Sequence, residues 1–253
     1  MTTLKSQLNN ETDIFYPSSD GTPMAESDAA RDYLIYGVEA LSIYFQNQND
    51  VYVSGNLFVY YKKGVPDAVV APDVLVVKGV EKKQRMSYKV WEENGKVPDF
   101  VMEVTSKTTQ ENDEADKPQK YQKMGVSEYF QYDPTGDYLQ QQLKGSRLVE
   151  GKYQSITPSL LADGVLSIHS QVLGLDLRLL GKELRFYEPV SQRRLLSPLE
   201  TEQARQQAEQ ARQQAEQTIT NAVPRLIDLG LNEEQIAQAL GLSLEEVMQM
   251  LSD

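Results

Sequence analysis

The chain has 253 residues, no cysteine, one histidine and a formal net charge of −12. That length supports one or two domains with a real core. The acidity excludes a protein that coats nucleic acid by bulk charge, though not an enzyme that meets DNA locally.

Without cysteine there is no disulfide, zinc–thiolate site or thiol nucleophile, and His169 alone cannot build a histidine-rich metal site. A bound metal would rest on carboxylate oxygens. No apolar run approaches the roughly 18 residues of a membrane span. The N-terminus shows neither the basic flank nor the apolar core of a secretory signal. A cytoplasmic protein with no membrane partner is expected.

Residues 1–20 are polar and carry Pro17, Ser18, Ser19 and Asp20, which reads as an arm or loop. Ser27-Asp28 opens a helix in which Leu34, Val38, Leu41 and Phe45 recur on one face. Val51–Val53 and Leu57–Tyr61 read as strands around a turn at Ser54-Gly55-Asn56. Val69–Val77 is a strand interrupted by Pro72, and Lys78–Lys96 a polar connection with Trp91 as its one large apolar residue. Asp99–Thr105 is a short apolar strand. A helix is expected between Gln110 and Met124, and Glu128–Tyr132 is a strand closed by Asp133-Pro134. From Tyr138 to Phe186 the pattern is short strands and turns, so the order of elements predicts a mixed α/β domain.

The composition shifts near Pro198. Residues 200–253 hold three Arg, no Lys and ten Asp or Glu. Glu202–Ala208 repeats identically as Glu209–Ala215, placing Ala204, Ala208, Ala211 and Ala215 at coiled-coil-like spacing. Alanine buries too little area for this seam to hold a dimer alone. The expected organisation is a main domain over 1–199, a heptad-repeat spacer helix over 200–222 and a small helical hairpin over 223–253. The hairpin has the outline of a helix-turn-helix. Its second helix carries Glu245, Glu246 and Asp253 and no base, which disfavours a DNA reader.

The chemistry falls on carboxylates. Asp73 follows Pro72 inside one strand, and Glu103 lies in Phe100–Thr105. Strand alternation places Asp99, Val101, Glu103 and Thr105 on one face and Phe100, Met102 and Val104 on the other. A carboxylate among buried strand residues is costly unless paired or bound to a cation. Two on neighbouring strands suit Mg²⁺ or Mn²⁺, while pairing with Arg or Lys is the alternative. Further on, Asp113, Lys117 and Tyr121 are spaced to share a helix face.

These residues together carry a resemblance: Pro72-Asp73-Val74, Pro98-Asp99 through Ser106, Asp113, Lys117 and Tyr121, Gly125-Val126 through Glu128-Tyr129, and Asp133-Pro134. In this ordered set, over about residues 14–190, the chain resembles the Uma-two family of "putative restriction endonucleases", within the PD-(D/E)XK nuclease superfamily. The resemblance implies a PD-(D/E)XK-like mixed sheet flanked by helices with the active site at its edge; the helical, coiled-coil-like tail behind it is read from the repeat. It implies that Asp73 and Glu103 bind the metal. The superfamily lysine two residues after the Glu is Thr105 here; the family's lysine sits in the following helix, at Lys117, to stabilise charge at phosphorus or orient water. Pro118 follows Lys117, and a residue before proline is pushed away from helical geometry. Lys117 is therefore either on the helix face or just ahead of it, with Lys120 and Lys107 in reserve. Glu26 is a further candidate acid beside the metal.

Two functions remain open on the sequence. One is a Mg²⁺- or Mn²⁺-dependent endonuclease hydrolysing DNA, with Lys78, Lys82, Lys83, Arg85 and Lys89 as the densest basic run beside the site. The other is a catalytically weak nuclease fold acting as a binding or assembly module through its acidic tail. Self-association, through the fold or the C-terminal helices, is compatible with both.

Overall fold

The computed structural model describes residues 14–18, 28–105 and 116–252. Residues 1–197 and 198–253 form two separate compact units.

The first unit opens with residues 14–18. Tyr16 lies against Tyr60 and Trp91, and the Tyr60 hydroxyl donates to Pro17 O at 2.6 Å. Helix α1 (Asp28–Tyr44) follows. Fourteen strands then build three sheets among the described residues. The central sheet has the order β1-β4-β6-β7-β8-β9. Its strands are β1 (Val51–Ser54), β4 (Val74–Lys78), β6 (Phe100–Val104), β7 (Glu128–Tyr132), β8 (Leu143–Val149) and β9 (Lys152–Ser155). The β6–β7 pair is parallel and the others are antiparallel. Helix α2 (Asp116–Met124) makes the parallel crossover.

A small sheet joins β2 (Val59–Tyr60), β3 (Val69–Val70) and β5 (Tyr88–Lys89). The third sheet is an antiparallel meander of β10 (Ser159–Leu160), β11 (Leu166–Ser170), β12 (Leu175–Leu180), β13 (Glu183–Glu188) and β14 (Arg193–Arg194). This is a mixed α/β architecture with mixed sheets flanked by helices.

The expected strand Val69–Val77 is two strands belonging to different sheets, β3 and β4, with Pro72 between them. Pro72 has no N–H for a ladder, so the chain changes partners there. Likewise the Lys78–Lys96 connection is not featureless: buried Tyr88 and Val90 pin a short strand and a single 3₁₀ turn.

All five residues of β6 are buried, yet they serve two cores. Phe100, Met102 and Val104 join Val74, Phe130, Leu143, α1 and the third sheet. Val101 joins Leu75, Tyr129, the small sheet and Tyr121 of α2. The inward face of α1 differs from its large-residue periodicity. It is centred on Tyr36, Gly37, Ala40 and Leu41, with Leu34 only half-buried. At Gly37 a Cβ would stand 2.7 Å from Val74 Cγ2 and 3.3 Å from Met102 Cε, so the helix backbone lies directly on β4 and β6.

The second unit is helical. Helix α3 runs unbroken from Pro198 to Asp228 with Pro224 inside it, and all four repeat alanines are exposed on this chain. Its last turns pack with α4 (Glu233–Leu240) and α5 (Leu244–Ser252) around Val223, Ile236, Ala237 and Val247. Asn232 and Gln235 form a reciprocal capping box at α4, and Gly241 closes it. Ser243 and Glu246 cap α5 in the same way. Helix α5 carries no basic residue.

Candidate active site

Asp73 immediately precedes β4 and Glu103 lies in the adjacent antiparallel strand β6, at one end of the central sheet. Val74 pairs with Met102, so the next pair outward along the ladder is Asp73 with Glu103. Both follow the same face as Leu75 and Val101. Glu103 is fully buried and Asp73 half-buried.

Each carboxylate has fixed partners. Asp73 Oδ2 accepts from Val104 N at 2.7 Å. Glu103 Oε2 accepts from Lys117 Nζ at 2.8 Å, and Oε1 accepts from the Tyr121 hydroxyl at 2.5 Å. Lys117 and Tyr121 are one helical turn apart on α2, and this spacing brings both to the same carboxylate. Helix α2 begins at Asp116, so Pro118 lies in the first turn, where no N–H is needed of it. The proline therefore does not detach Lys117 from the helix.

Burial, then the charge of Glu103, push the Asp73 carboxyl well above the usual carboxylate range, against the opposing pull of Lys117 and Val104 N–H. Burial and the Glu103 charge also hold the Tyr121 hydroxyl well above its usual range. Tyr121 is therefore a fixed donor, not a base. Backbone packing adds a further constraint. Asn56 N donates to Pro72 O at 2.9 Å. A Cβ on Gly55 would fall 2.3 Å from Asp73 O, so only glycine permits this approach.

The other candidates divide. Lys120 is exposed and makes no ion pair among the described residues. Glu26, Lys107 and Asp113 lie outside the described residues. Thr105 donates its N–H to Tyr132 O at 2.8 Å, while its buried Oγ1 has no hydrogen-bond partner among the described residues. No group of three or more acidic or histidine side chains converges among the described residues.

The basic run is occupied by its own chain. Lys78 Nζ donates to Val172 O, Lys82 Nζ to Phe45 O at 3.2 Å, and Arg85 Nε to Glu93 Oε1 at 2.8 Å. Lys83 and Lys89 pair with Glu81 and Glu92. Two resembling motif acids are also structural. Asp133 accepts from the N–H groups of Thr135, Gly136, Tyr138 and Leu139. Glu128 is held by Arg147, Ser170 and Gln171 N. His169 is half-exposed beside Asp176 at 2.8 Å, away from the carboxylate pair.

The spacing of Tyr121 from Lys117 was visible in the sequence, but its hydrogen bond to Glu103 had no sequence signal, because it depends on how α2 lies over β6.

Among solved structures, the chain is similar to one titled a "putative nuclease belonging to DUF820" from Anabaena variabilis ATCC 29413. The identity is 12%, over 56% of this chain and 75% of that one, with a TM-score of 0.39. No curated protein matches the chain. Residues 11–180 match the Uma2 family model, described as "Putative restriction endonuclease". The match spans more than half of the sequence, and the chain belongs to the Uma2 family.

Proposed function

We propose that this protein is an endonuclease that hydrolyses DNA phosphodiester bonds with a divalent metal held by Asp73 and Glu103. The observation that carries the reading is the convergence of these carboxylates in a buried corner, with Lys117 and Tyr121 closing on Glu103.

The donor set fits a hard cation. Burial, and then the charge of Glu103, raise the Asp73 carboxyl, and a bound Mg²⁺ or Mn²⁺ would offset the negative charge of both carboxylates. When bound, such an ion polarises a phosphoryl oxygen and lowers the pKa of a coordinated water. The protein groups do the positioning. Val104 N–H fixes Asp73 Oδ2, and Tyr121 fixes Glu103 Oε1. Lys117 brings a positive charge beside the carboxylates, suited to offset the negative charge that grows at phosphorus. The family's description, "Putative restriction endonuclease", supports DNA as the substrate.

The alternative, a catalytically weak fold used for assembly through the acidic tail, is favoured by one observation: the alanine seam of α3 is exposed. A plasmid-nicking assay in Mg²⁺ and Mn²⁺, with calorimetry of metal binding on the same samples, separates the two. The endonuclease reading expects Asp73→Asn and Glu103→Gln each to lose metal affinity and on the order of 100-fold or more in nicking rate. A folded wild type that binds no metal at millimolar concentration sinks it and leaves the assembly reading.

A further inference from the structure

The two faces of the small sheet have different neighbours. Val59 and Val70, a cross-strand pair of β2 and β3, enter the core against the central sheet. Strand alternation turns Phe58, Tyr60, Val69 and Ala71 to the other face. There they line a recess of about 390 Å³, together with Pro17 and Asp67. Small-molecule sites run from roughly 300 to 1,000 Å³. Residues 14–18 form one wall: the Tyr60 hydroxyl donates to Pro17 O at 2.6 Å, and the Tyr16 ring meets Tyr60 edge-on at 5.0 Å between centroids. Tyr60 is thereby 1% exposed, whereas Phe58 is half-buried. Phe58 is the aromatic surface that the recess offers.

The recess adjoins the carboxylate pair. Ala71 lines it and Asp73 is two residues on, so their Cα atoms are at most about 7 Å apart. The link between them is fixed: Pro72 is buried, Asn56 N donates to Pro72 O at 2.9 Å, and Gly55 packs against Asp73 O. A single nucleotide spans that distance between its phosphate and its base.

The polar groups at the rim point to the ligand. The Asp67 carboxylate lines the recess, is exposed, and has no hydrogen bond or ion pair among the described residues. A carboxylate repels phosphate, but it accepts from the amino group of a base such as cytosine. Lys62 and Lys63 stand in the same β2–β3 loop, exposed and likewise without side-chain partners among the described residues. The basic run, by contrast, is engaged with its own carboxylates and carbonyls. An aromatic face, an acceptor and nearby cations together suit a nucleotide. An apolar peptide would use neither the carboxylate nor the lysines.

We propose that this recess is a nucleobase pocket. The substrate strand, with its phosphate at Asp73 and Glu103, turns one unstacked base onto Phe58, and Asp67 accepts from the amino group of that base. The inference rests on the endonuclease reading. It names single-stranded or locally opened DNA as the form of the substrate, because a base inside a duplex has no free face to give until it is extruded.

The test is fluorescence anisotropy of labelled single strands with the full chain in Ca²⁺, using oligo-dC, oligo-dT and a strand of abasic residues, with Mn²⁺ calorimetry and plasmid nicking alongside. Wild type should bind oligo-dT about tenfold more tightly than the abasic strand, and oligo-dC about tenfold more tightly than oligo-dT. Phe58→Leu, which keeps an apolar side chain in the recess, should erase the first difference and leave abasic binding unchanged. Asp67→Ala, at an exposed position, should erase the second. Both variants should keep wild-type Mn²⁺ affinity. If wild type binds Mn²⁺ and nicks DNA but holds all three strands alike, or if both variants keep the wild-type differences, the pocket is overturned while the endonuclease reading stands. If wild type neither binds Mn²⁺ nor cuts DNA, the endonuclease reading falls, and the pocket with it.

Discussion

Lys117 reaches from the first turn of α2 to Glu103 on β6, placing an ammonium 2.8 Å from a carboxylate with no exposed surface. The pair is asymmetric: the Lys117 side chain keeps 21% of its surface and Glu103 none. Removing the lysine leaves a buried charge uncompensated. Lys117→Met should therefore cost on the order of 3 kcal/mol of stability at neutral pH. Urea unfolding measures it, and a double variant with Glu103→Gln should recover much of the loss. An additive double variant would show that the two groups are not coupled.

Tyr121→Phe keeps the ring in the core and deletes one donor to Glu103 Oε1. A hydrogen bond to a charged acceptor contributes about 1.5–3 kcal/mol, and the variant should lose that much in chemical denaturation. Nicking should fall through kcat, because Glu103 would lose the Tyr121 hydroxyl as one of the contacts that orient it. A rise in KM alone would contradict a positioning role.

Asp73 and Asp133 should respond to pH with opposite signs. Burial works against the charge of Asp133, but its turn N–H groups prevail and hold its carboxyl below the usual value. Its stabilisation is complete above about pH 3.9 and is lost as pH falls through the lower folded value. Asp133→Ala should thus be destabilising at pH 7 and lose its penalty in strong acid. The Asp73 carboxyl is raised, so its ionisation opposes folding as pH climbs above about 3.9. Asp73→Asn should stabilise the metal-free protein at pH 7, with the gain vanishing toward pH 4. Stability curves against pH for both variants provide the comparison.

Gly55→Ala would drive a methyl group against Asp73 O, and Gly37→Ala would drive one into Val74 and Met102. Each overpacking should cost about 1–3 kcal/mol. Only the first presses on the backbone of a site residue. Gly55→Ala should therefore reduce metal affinity in calorimetry, and Gly37→Ala should chiefly lower the melting temperature.

Thr105→Val replaces a buried hydroxyl that has no partner among the described residues with a methyl group of similar shape. Stability should stay level or rise by about 1 kcal/mol in thermal unfolding. A loss of 2 kcal/mol or more would reveal a hydrogen bond at Oγ1.

The carboxylate pair was legible because alternation alone puts Glu103 opposite Met102 and Val104 within one strand. The caps at Asn232 and Gly241 were legible because capping is local chemistry. Two features were less so. The inward face of α1 was legible only in part: Leu41 and Phe45 are buried as their spacing predicts, but the closest approach to the sheet is made by Gly37, beside Ala40, which a periodicity of large residues passes over. The recess at Phe58 was hidden because it depends on how residues 14–18 lie across β2 and β3.

The division of β6 between two cores has a consequence for how this protein can change. A single inserted or deleted residue ahead of Glu103 would reverse every side chain after it. The carboxylate would then enter the cluster around Phe130, and methionine or valine would face Lys117 and Tyr121. Length variation in β6 should therefore remove the fold and the site together, whereas point substitutions at Glu103 can remove the site alone.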